Sequence, residues 1–558
     1  MKPLLGLCQH RRVNPFNRAT AIARLKEESF DTIVIGAGMT GAGVALDASQ
    51  RGLKTALIEA ADIASGTSSK SSKMVHGGLR YLQQREFRLV YENLRERQRL
   101  LKNAPHLVRI LPFLIPLFGK NGAVSKAVTK GYASALRLYD LTGGWRIGRR
   151  YQKVTKAQAL GHLPTLNVER LVAGFLYFDA RGDDARIAMT IARTAADAFY
   201  AAVANYVRAT GFTYADNGEV NGVQVRDEIT GESWTVATRS VVNATGVWVE
   251  EVTELGAHKS ETVVTPAKGV HVSVPKHRLP ADVAAVLAVP GDRRSIFVVP
   301  FEEAEFTFIG TTDTPFDGDI NNPLCTPEDI TYLLNAVNAS TSSNLTTADI
   351  TGVWAGLRPL LAPRDGKKVS ERTSDLSRRH SVTVTKDRMI HVTGGKWTTY
   401  REMAEDTVTE LLVQLQQSGF VGTINLRLFG APRRGEPMPV VEGVDKHLFE
   451  RFGTARKHIT DMIEANPSLA EVAIEGLPYL KAEFIYSARD EMAVTLTDLL
   501  ARRTRAHIQD ARATLRAAAS IAALVGPTMG WDAAQQDKEV ASYRQLVELE
   551  FSAAGLTI

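Results

Sequence analysis

Cysteine is nearly absent from this chain, long apolar runs are missing and the charge excess is small, and each shortage removes a class of function. Only Cys8 and Cys325 occur in 558 residues, so no disulfide framework, cysteine-rich metal site or iron–sulfur cluster can be built. That count fits a reducing, cytoplasmic setting. No stretch supplies the ~20 mainly apolar residues of a membrane-spanning helix. The richest run, 110–119, contains Pro112 and Pro116 and is flanked by Arg109 and Lys120. It reads as a strand or loop packed on the core, with a monotopic membrane contact as the competing reading. The net charge of +6 favours an anionic substrate or an anionic surface, but without clustering it leaves no nucleic-acid footprint. A calcium loop is also excluded. Asp317, Asp319, Asn321 and Glu328 have its spacing, yet Asn322 stands where the sharp turn needs glycine, and Pro323 follows. No metal is expected.

What is present starts at Asp31. Residues 31–35, Asp-Thr-Ile-Val-Ile, read as a short buried strand that runs straight into Gly36-Ala37-Gly38-Met39-Thr40-Gly41. A helical run over 42–51 follows, then a returning strand over 55–58 that ends on Glu59. Gly36 allows the tight turn, Gly38 lets backbone approach a pyrophosphate, and Gly41 lets helix and strand pack closely. The N–H groups of Met39 and Thr40 open the helix and present positive potential to phosphate. Glu59, 23 residues after Gly36, suits a ribose diol and would repel a 2′-phosphate. A lone glycine motif is weak evidence; strand, glycines, helix, strand and terminal acid together predict a dinucleotide site.

The next segment narrows the cofactor. Residues 65–73, rich in Ser and Thr, lead into His76-Gly77-Gly78-Leu79-Arg80-Tyr81. Here the chain resembles the FAD-dependent glycerol-3-phosphate dehydrogenases, within the wider glycine-oxidase-like flavoproteins. The matching words are TSSKSSKMVHGGLRYLQQREFRLVYENLRER (67–97), DDARI (183–187), NATGVWV (243–249), KGVHVSVP (268–275), IFVVP (296–300), IGTTDTPFDGD (309–319), GLRPL (356–360) and GGKWTTYREMAE (394–405), in the family's order. Further on, Ala488-Arg489-Asp490-Glu491 and 498–504, Asp-Leu-Leu-Ala-Arg-Arg-Thr, resemble the family's C-terminal helical domain.

The resemblance implies an α/β fold: a Rossmann-like FAD-binding domain interleaved with a mainly antiparallel β substrate domain, plus a C-terminal helical domain. Residues 1–30 form a basic extension. The FAD-binding parts are expected at about 31–106, 167–261 and 345–430, the substrate parts at about 107–166 and 262–344, and the helical domain at 431–558. A long helix capped by Asp183-Asp184 is predicted over 185–208, and a later one from Gly395 through Ala404.

The implied cofactor is FAD. Its expected contacts are Gly36, Gly38, Met39, Thr40, Gly41, Glu59, Thr67, Ser68, Ser69, Ser72, Lys73, His76, Gly77, Gly78 and Leu79, with Thr245 and Gly246 near the adenosine half. Gly394, Gly395, Lys396 and Thr398 complete the set at the flavin's pyrimidine edge. For a substrate phosphate the resemblance carries over Arg80, Tyr81, Arg358, Arg372 and Lys396, arginine being suited to a bidentate grip. His271 and His76 are the candidate bases, since imidazole exchanges protons near neutrality; His271 is favoured on the substrate side. Arg358 and Lys396 join them as catalytic candidates.

The implied reaction is oxidation of sn-glycerol 3-phosphate to dihydroxyacetone phosphate, with hydride passing to flavin N5 and electrons on to a membrane quinone. An oxidase using oxygen is the open alternative. The basic and aromatic segment 126–150, including Tyr139, Trp145, Arg146, Arg149 and Arg150, suggests a peripheral contact with the inner face of the cell membrane. A homo-oligomer, a dimer, is expected.

Overall fold

The computed structural model describes residues 15–83, 86–119, 124–256, 264–292, 294–301, 303–361 and 380–558; the side chains of Arg80, Gln83 and Trp145 fall outside that description, as does all of Arg372. The fold is α/β and, among the described residues, has two large sheets, a three-stranded meander and a helical C-terminal lobe.

The first sheet has six strands in the order His380–Val384, Ile390–Gly394, Val241–Asn243, Thr32–Ile35, Thr55–Ile58 and Ala202–Ala204. All neighbours run parallel except His380–Val384 against Ile390–Gly394. The central strands are short, apolar and β-branched because both faces are covered. Helices Met39–Gln50, Asp184–Phe199 and Tyr400–Leu415 bury Ala42, Leu46, Ile191, Ala195, Val408 and Leu411 in one core with Val34 and Leu57. The opposite face carries Ile33, Ile35 and Ile58. They pack against helix Arg18–Glu27 and a meander of Val207–Tyr214, Val220–Asp227 and Ser233–Ala237.

The second sheet is larger and mainly antiparallel. Its path runs Thr314–Pro315, Val264–Pro275, Phe306–Gly310, Ser295–Pro300, Ala284–Ala288, Val108–Phe118, Leu171–Gly182 and Met74–Val75. Gly352–Leu361 pairs with Val264–Pro275, and Gln152–Thr155 with Leu171–Gly182. Among the described residues its one parallel pair is Ala284–Ala288 on Val108–Phe118. Helices Lys481–Asp490, Ala511–Met529 and Ala533–Ala553 share the core of this sheet through Phe484, Ile521, Val525, Val547 and Phe551.

Three local expectations are corrected. The helix over 185–208 stops at Phe199: Tyr200 turns left-handed, and the alanine-rich 202–204 becomes a buried strand beside Thr55–Ile58. Short alanine and valine runs carry no period that separates a buried strand from a helix. The later helix begins at Tyr400, after a 3₁₀ turn Trp397–Thr399, and continues to Leu415. Leu171–Gly182 and Gly352–Leu361, expected in the FAD-binding parts, pair into the large sheet, because pairing between distant strands leaves no local mark. The 110–119 run is the strand Val108–Phe118. Among the described residues, no helix is long and apolar enough to cross a membrane.

Candidate active site

The nucleotide end is built from one short piece of chain. Gly36 has φ +100, and a Cβ there would lie 2.9 Å from Ala244 O; a Cβ on Gly41 would lie 1.8 Å from Gly36 O. No side chain fits either place, so the turn can press against the strand Val241–Asn243. Glu59 accepts from Ala37 N–H at 2.7 Å and from Ala61 N–H at 3.1 Å. Burial raises its pKa, against those two hydrogen bonds. At the start of helix Met39–Gln50, Ser68 Oγ accepts the Met39 N–H at 2.8 Å. A hydroxyl oxygen thus stands where a phosphate oxygen would accept, at the positive end of the helix. Thr245 abuts Gly36, and its hydroxyl donates to Asn243 Oδ1 at 2.6 Å.

The serine-rich loop and the glycine turn after it are held from behind by buried polar groups. Thr67 Oγ1 donates to Leu357 O at 2.6 Å, docking the loop on the strand Gly352–Leu361. Ser71 N–H and Oγ–H both donate to Asp184 Oδ2, at 2.9 and 2.6 Å. Lys73 turns its ammonium inward to Asp184 Oδ1, 3.1 Å away. Burial and the neighbouring Arg505 lower its pKa to about 8. Gly77 N–H meets Tyr139 Oη at 2.9 Å and Asp179 Oδ1 at 3.2 Å, while Asn93 donates to Gly77 O at 3.1 Å. Arg97, fully buried, pairs with Asp179. Tyr139 is therefore a core residue bonded to Asp179, not an aromatic anchor at a membrane surface.

The substrate end gathers residues from distant strands. His271, in Val264–Pro275, lies opposite Trp354 in Gly352–Leu361, and their rings stack 4.8 Å apart at 6°. A Cβ on Gly310 would sit 2.0 Å from His271 Cδ2, so a glycine on the adjoining strand makes room for the ring. His271 Nε2 is 2.7 Å from Ser72 Oγ, while Nδ1 has no hydrogen-bond partner among the described residues. Burial, then the charges of Lys73 and Arg358, keep its pKa well below the usual value, so the ring is neutral at physiological pH.

Arg358 is four residues from Trp354 on the same strand. Its Nη2 donates to Thr311 Oγ1 and Thr312 O, each at 3.2 Å, and Nη1 to Asp313 Oδ1 at 3.3 Å. Lys396 Nζ lies 3.7 Å above the Tyr81 ring. Gly394 and Gly395 both have left-handed φ, +73 and +74, ahead of the turn that holds buried Thr398. The structure thus joins His271, Ser72 and Arg358 in one cluster, and Tyr81 with Lys396 in another. His76 is half-buried at the head of the Gly77-Gly78 turn. Asp179 and Asp62 have no place among the sequence-derived candidates, and Asp184 and Arg97 stand there only as a helix cap and as part of a family word. Asp179 had one signal: it is the lone charge inside the apolar stretch 171–180.

This geometry has known counterparts. A family description, FAD dependent oxidoreductase, matches residues 31–401, and a second, the C-terminal domain of alpha-glycerophosphate oxidase, matches 385–536. Glycerol-3-phosphate dehydrogenase 2 of Mycobacterium tuberculosis is 41% identical over 559 residues, covering 96% of this chain and 91% of that one. The chain belongs to the FAD-dependent glycerol-3-phosphate dehydrogenase family. The mitochondrial glycerol-3-phosphate dehydrogenase of Bos taurus is 34% identical, covering 96% of this chain and 76% of that one. The glycerol-3-phosphate dehydrogenase from Bacillus halodurans, solved in complex with FAD, superposes with a TM-score of 0.76 at 29% identity, covering 96% of this chain and 98% of that one. This family member is therefore a FAD-dependent oxidoreductase, and its own residues fit the cofactor. The helix start occupied by the Ser68 hydroxyl can take the pyrophosphate, Glu59 offers carboxylate acceptors for a ribose, and the Gly394-Gly395 turn exposes backbone.

Proposed function

We propose that this chain oxidises sn-glycerol 3-phosphate to dihydroxyacetone phosphate and passes the electrons to a membrane quinone. The observation that carries the reading is the neutral, buried His271 beside the cation Arg358 on the strand that docks the serine-rich loop. FAD would supply the hydride acceptor, at its N5, and the carrier of the two electrons. The chain's own residues do the rest. Arg358 and Lys396, with Arg80 and Arg372 by resemblance, hold the phosphate dianion; the Thr311–Asp313 contacts fix the plane of the Arg358 fork for a bidentate grip. His271 takes the hydroxyl proton. The Tyr81 ring holds the Lys396 ammonium in place, and the missing side chain at Gly78 leaves room for both.

An oxidase reading keeps one supporting observation, the match to the alpha-glycerophosphate oxidase C-terminal domain. Quinone use brings the protein to a lipid surface. Helix Lys126–Thr142 supports that contact, with Lys126, Lys130 and Arg137 exposed beside Val128, Leu138 and Leu141, the last 77% exposed. The test is an anaerobic spectrum of the holoenzyme. Glycerol 3-phosphate should bleach the flavin bands and glycerol should not; no bleaching by glycerol 3-phosphate refutes the substrate. Reoxidation by a soluble quinone without peroxide supports the dehydrogenase, and stoichiometric peroxide supports the oxidase.

A further inference from the structure

The arginine-rich word at 498–505, Asp-Leu-Leu-Ala-Arg-Arg-Thr-Arg, takes no part in the chemistry described so far. It is wound as a π-helix, Asp498–Arg503, a rare conformation concentrated at functional sites. Its arginines turn away from solvent: Arg503 and Arg505 are each only 2% exposed. All three reach across to the cofactor domain.

Arg502 Nε and both terminal nitrogens of Arg503 donate to Asp62, at 2.6, 2.7 and 2.8 Å. Asp62 is fully buried, three residues after Glu59. Burial alone would raise its pKa; Arg503 and Arg502 outweigh that and hold it at about 2. Arg505 Nη2 donates to Ser69 O and, at 3.3 Å, to Asp184 Oδ1. Asp184, also fully buried, receives Ser71 and Lys73 as well. Ser72, inside that same loop, bonds His271. Without Arg503, Asp62 would keep only Arg502, and without Arg505, Asp184 would keep only Lys73, so each buried carboxylate would lose one of its two cations. Two loops that carry expected FAD contacts, 59–64 and 66–73, are therefore pinned by residues of the C-terminal lobe.

We propose that the 498–505 segment is a positioning device for the FAD site. Arg503 acts through Asp62 on the loop that carries Glu59, and Arg505 acts through Asp184 on the loop that carries Ser68 and Ser72. The lobe so sets flavin affinity and the placing of the Ser72–His271 pair. The second effect rests on His271 as the base; the first does not.

The experiment uses the full-length holoenzyme carrying Arg505→Lys, Arg505→Met or Arg503→Met, with exposed Arg516→Met as control. FAD dissociation constants are measured by stripping and reconstitution, alongside the flavin absorbance fine structure and kcat against KM. Arg505→Met is expected to weaken FAD at least tenfold, to blur the flavin bands, and to lower kcat at least tenfold with KM for glycerol 3-phosphate within about twofold. Arg505→Lys, keeping the charge but not the fork, should recover part of both losses. If Arg505→Met does not fold, Arg505→Lys alone decides: wild-type FAD affinity and kcat would overturn the proposal. So would an Arg505→Met protein that melts lower yet binds FAD and turns over like wild type, which marks a purely structural pair. If no variant, wild type included, is bleached by glycerol 3-phosphate, the substrate reading fails while the flavin constants still judge the clamp.

Discussion

The nucleotide end and the substrate end of this site are assembled in opposite ways. Gly36, Gly41 and Glu59 lie within one strand–helix–strand unit, where Gly41 packs on the Gly36 carbonyl and the Glu59 carboxylate accepts the Ala37 N–H. His271, Ser72, Trp354 and Arg358 come from three separate parts of the chain and meet only because Val264–Pro275 and Gly352–Leu361 pair and the serine loop docks on them. One end is a local conformational constraint; the other is a tertiary product. Damage at the first should release cofactor, and damage at the second should spare cofactor and remove chemistry.

The largest separation should come from the base. His271→Asn is expected to lower kcat by about 10²–10⁴ while FAD stays bound, with Ser72→Ala and His76→Asn each losing less. Comparable losses for His76→Asn would move the base to the glycine turn. Because burial holds His271 neutral, kcat/KM should show no acid limb near pH 6.5, where a free imidazole titrates. An inflection there in the pH profile would contradict a buried neutral base.

Glu59→Arg should break the other end. A cation replaces the acceptor of Ala37 and Ala61 N–H, so FAD should be lost on gel filtration while residual loaded enzyme keeps a normal KM. Stoichiometric flavin in that variant would remove Glu59 from the ribose.

A smaller effect concerns the junction with the C-terminal lobe. Arginine partners, with His447 at Glu483, outweigh burial and hold Asp62, Glu303 and Glu483 at about 2, below the ordinary carboxylate value near 4. Their stabilisation is full above that ordinary value and disappears as pH falls from about 4 to about 2. The melting temperature should fall steeply over that window. A flat profile there would show that these pairs add nothing net.

The smallest effect lies at the surface. Lys126→Glu with Lys130→Glu should weaken co-sedimentation with anionic liposomes at low salt, by about 1 kcal/mol per charge, and leave flavin and soluble-acceptor kinetics unchanged. Equal binding by both proteins would take helix Lys126–Thr142 out of the contact.

The same contrast explains what could be read from the chain beforehand. Glycine spacing, the β-branched strand over 32–35 and the acid at 59 act through neighbours in sequence, so they are legible without tertiary information. His271, Arg358 and Lys396 stand out by resemblance alone; nothing in their spacing says that His271 faces Trp354 or that Ser72 bonds it. Asp62 and Arg505 look like surface charges, and Asp184 like a helix cap, until the fold buries Asp62 against Arg503 and Asp184 against Arg505. Tyr139, read as part of an exposed aromatic segment, is buried behind Gly77, accepting its N–H and donating to Asp179, because its helix turns that side inward.

The most direct test of two separately built ends is an anaerobic titration of Arg358→Ala holoenzyme with glycerol 3-phosphate. One lost charge-assisted contact to a phosphate should cost roughly 2–4 kcal/mol, or about 30- to 1,000-fold in kcat/KM. Full flavin content with bleaching that needs far more substrate than wild type is expected, and bleaching at wild-type concentrations would contradict two separately built ends.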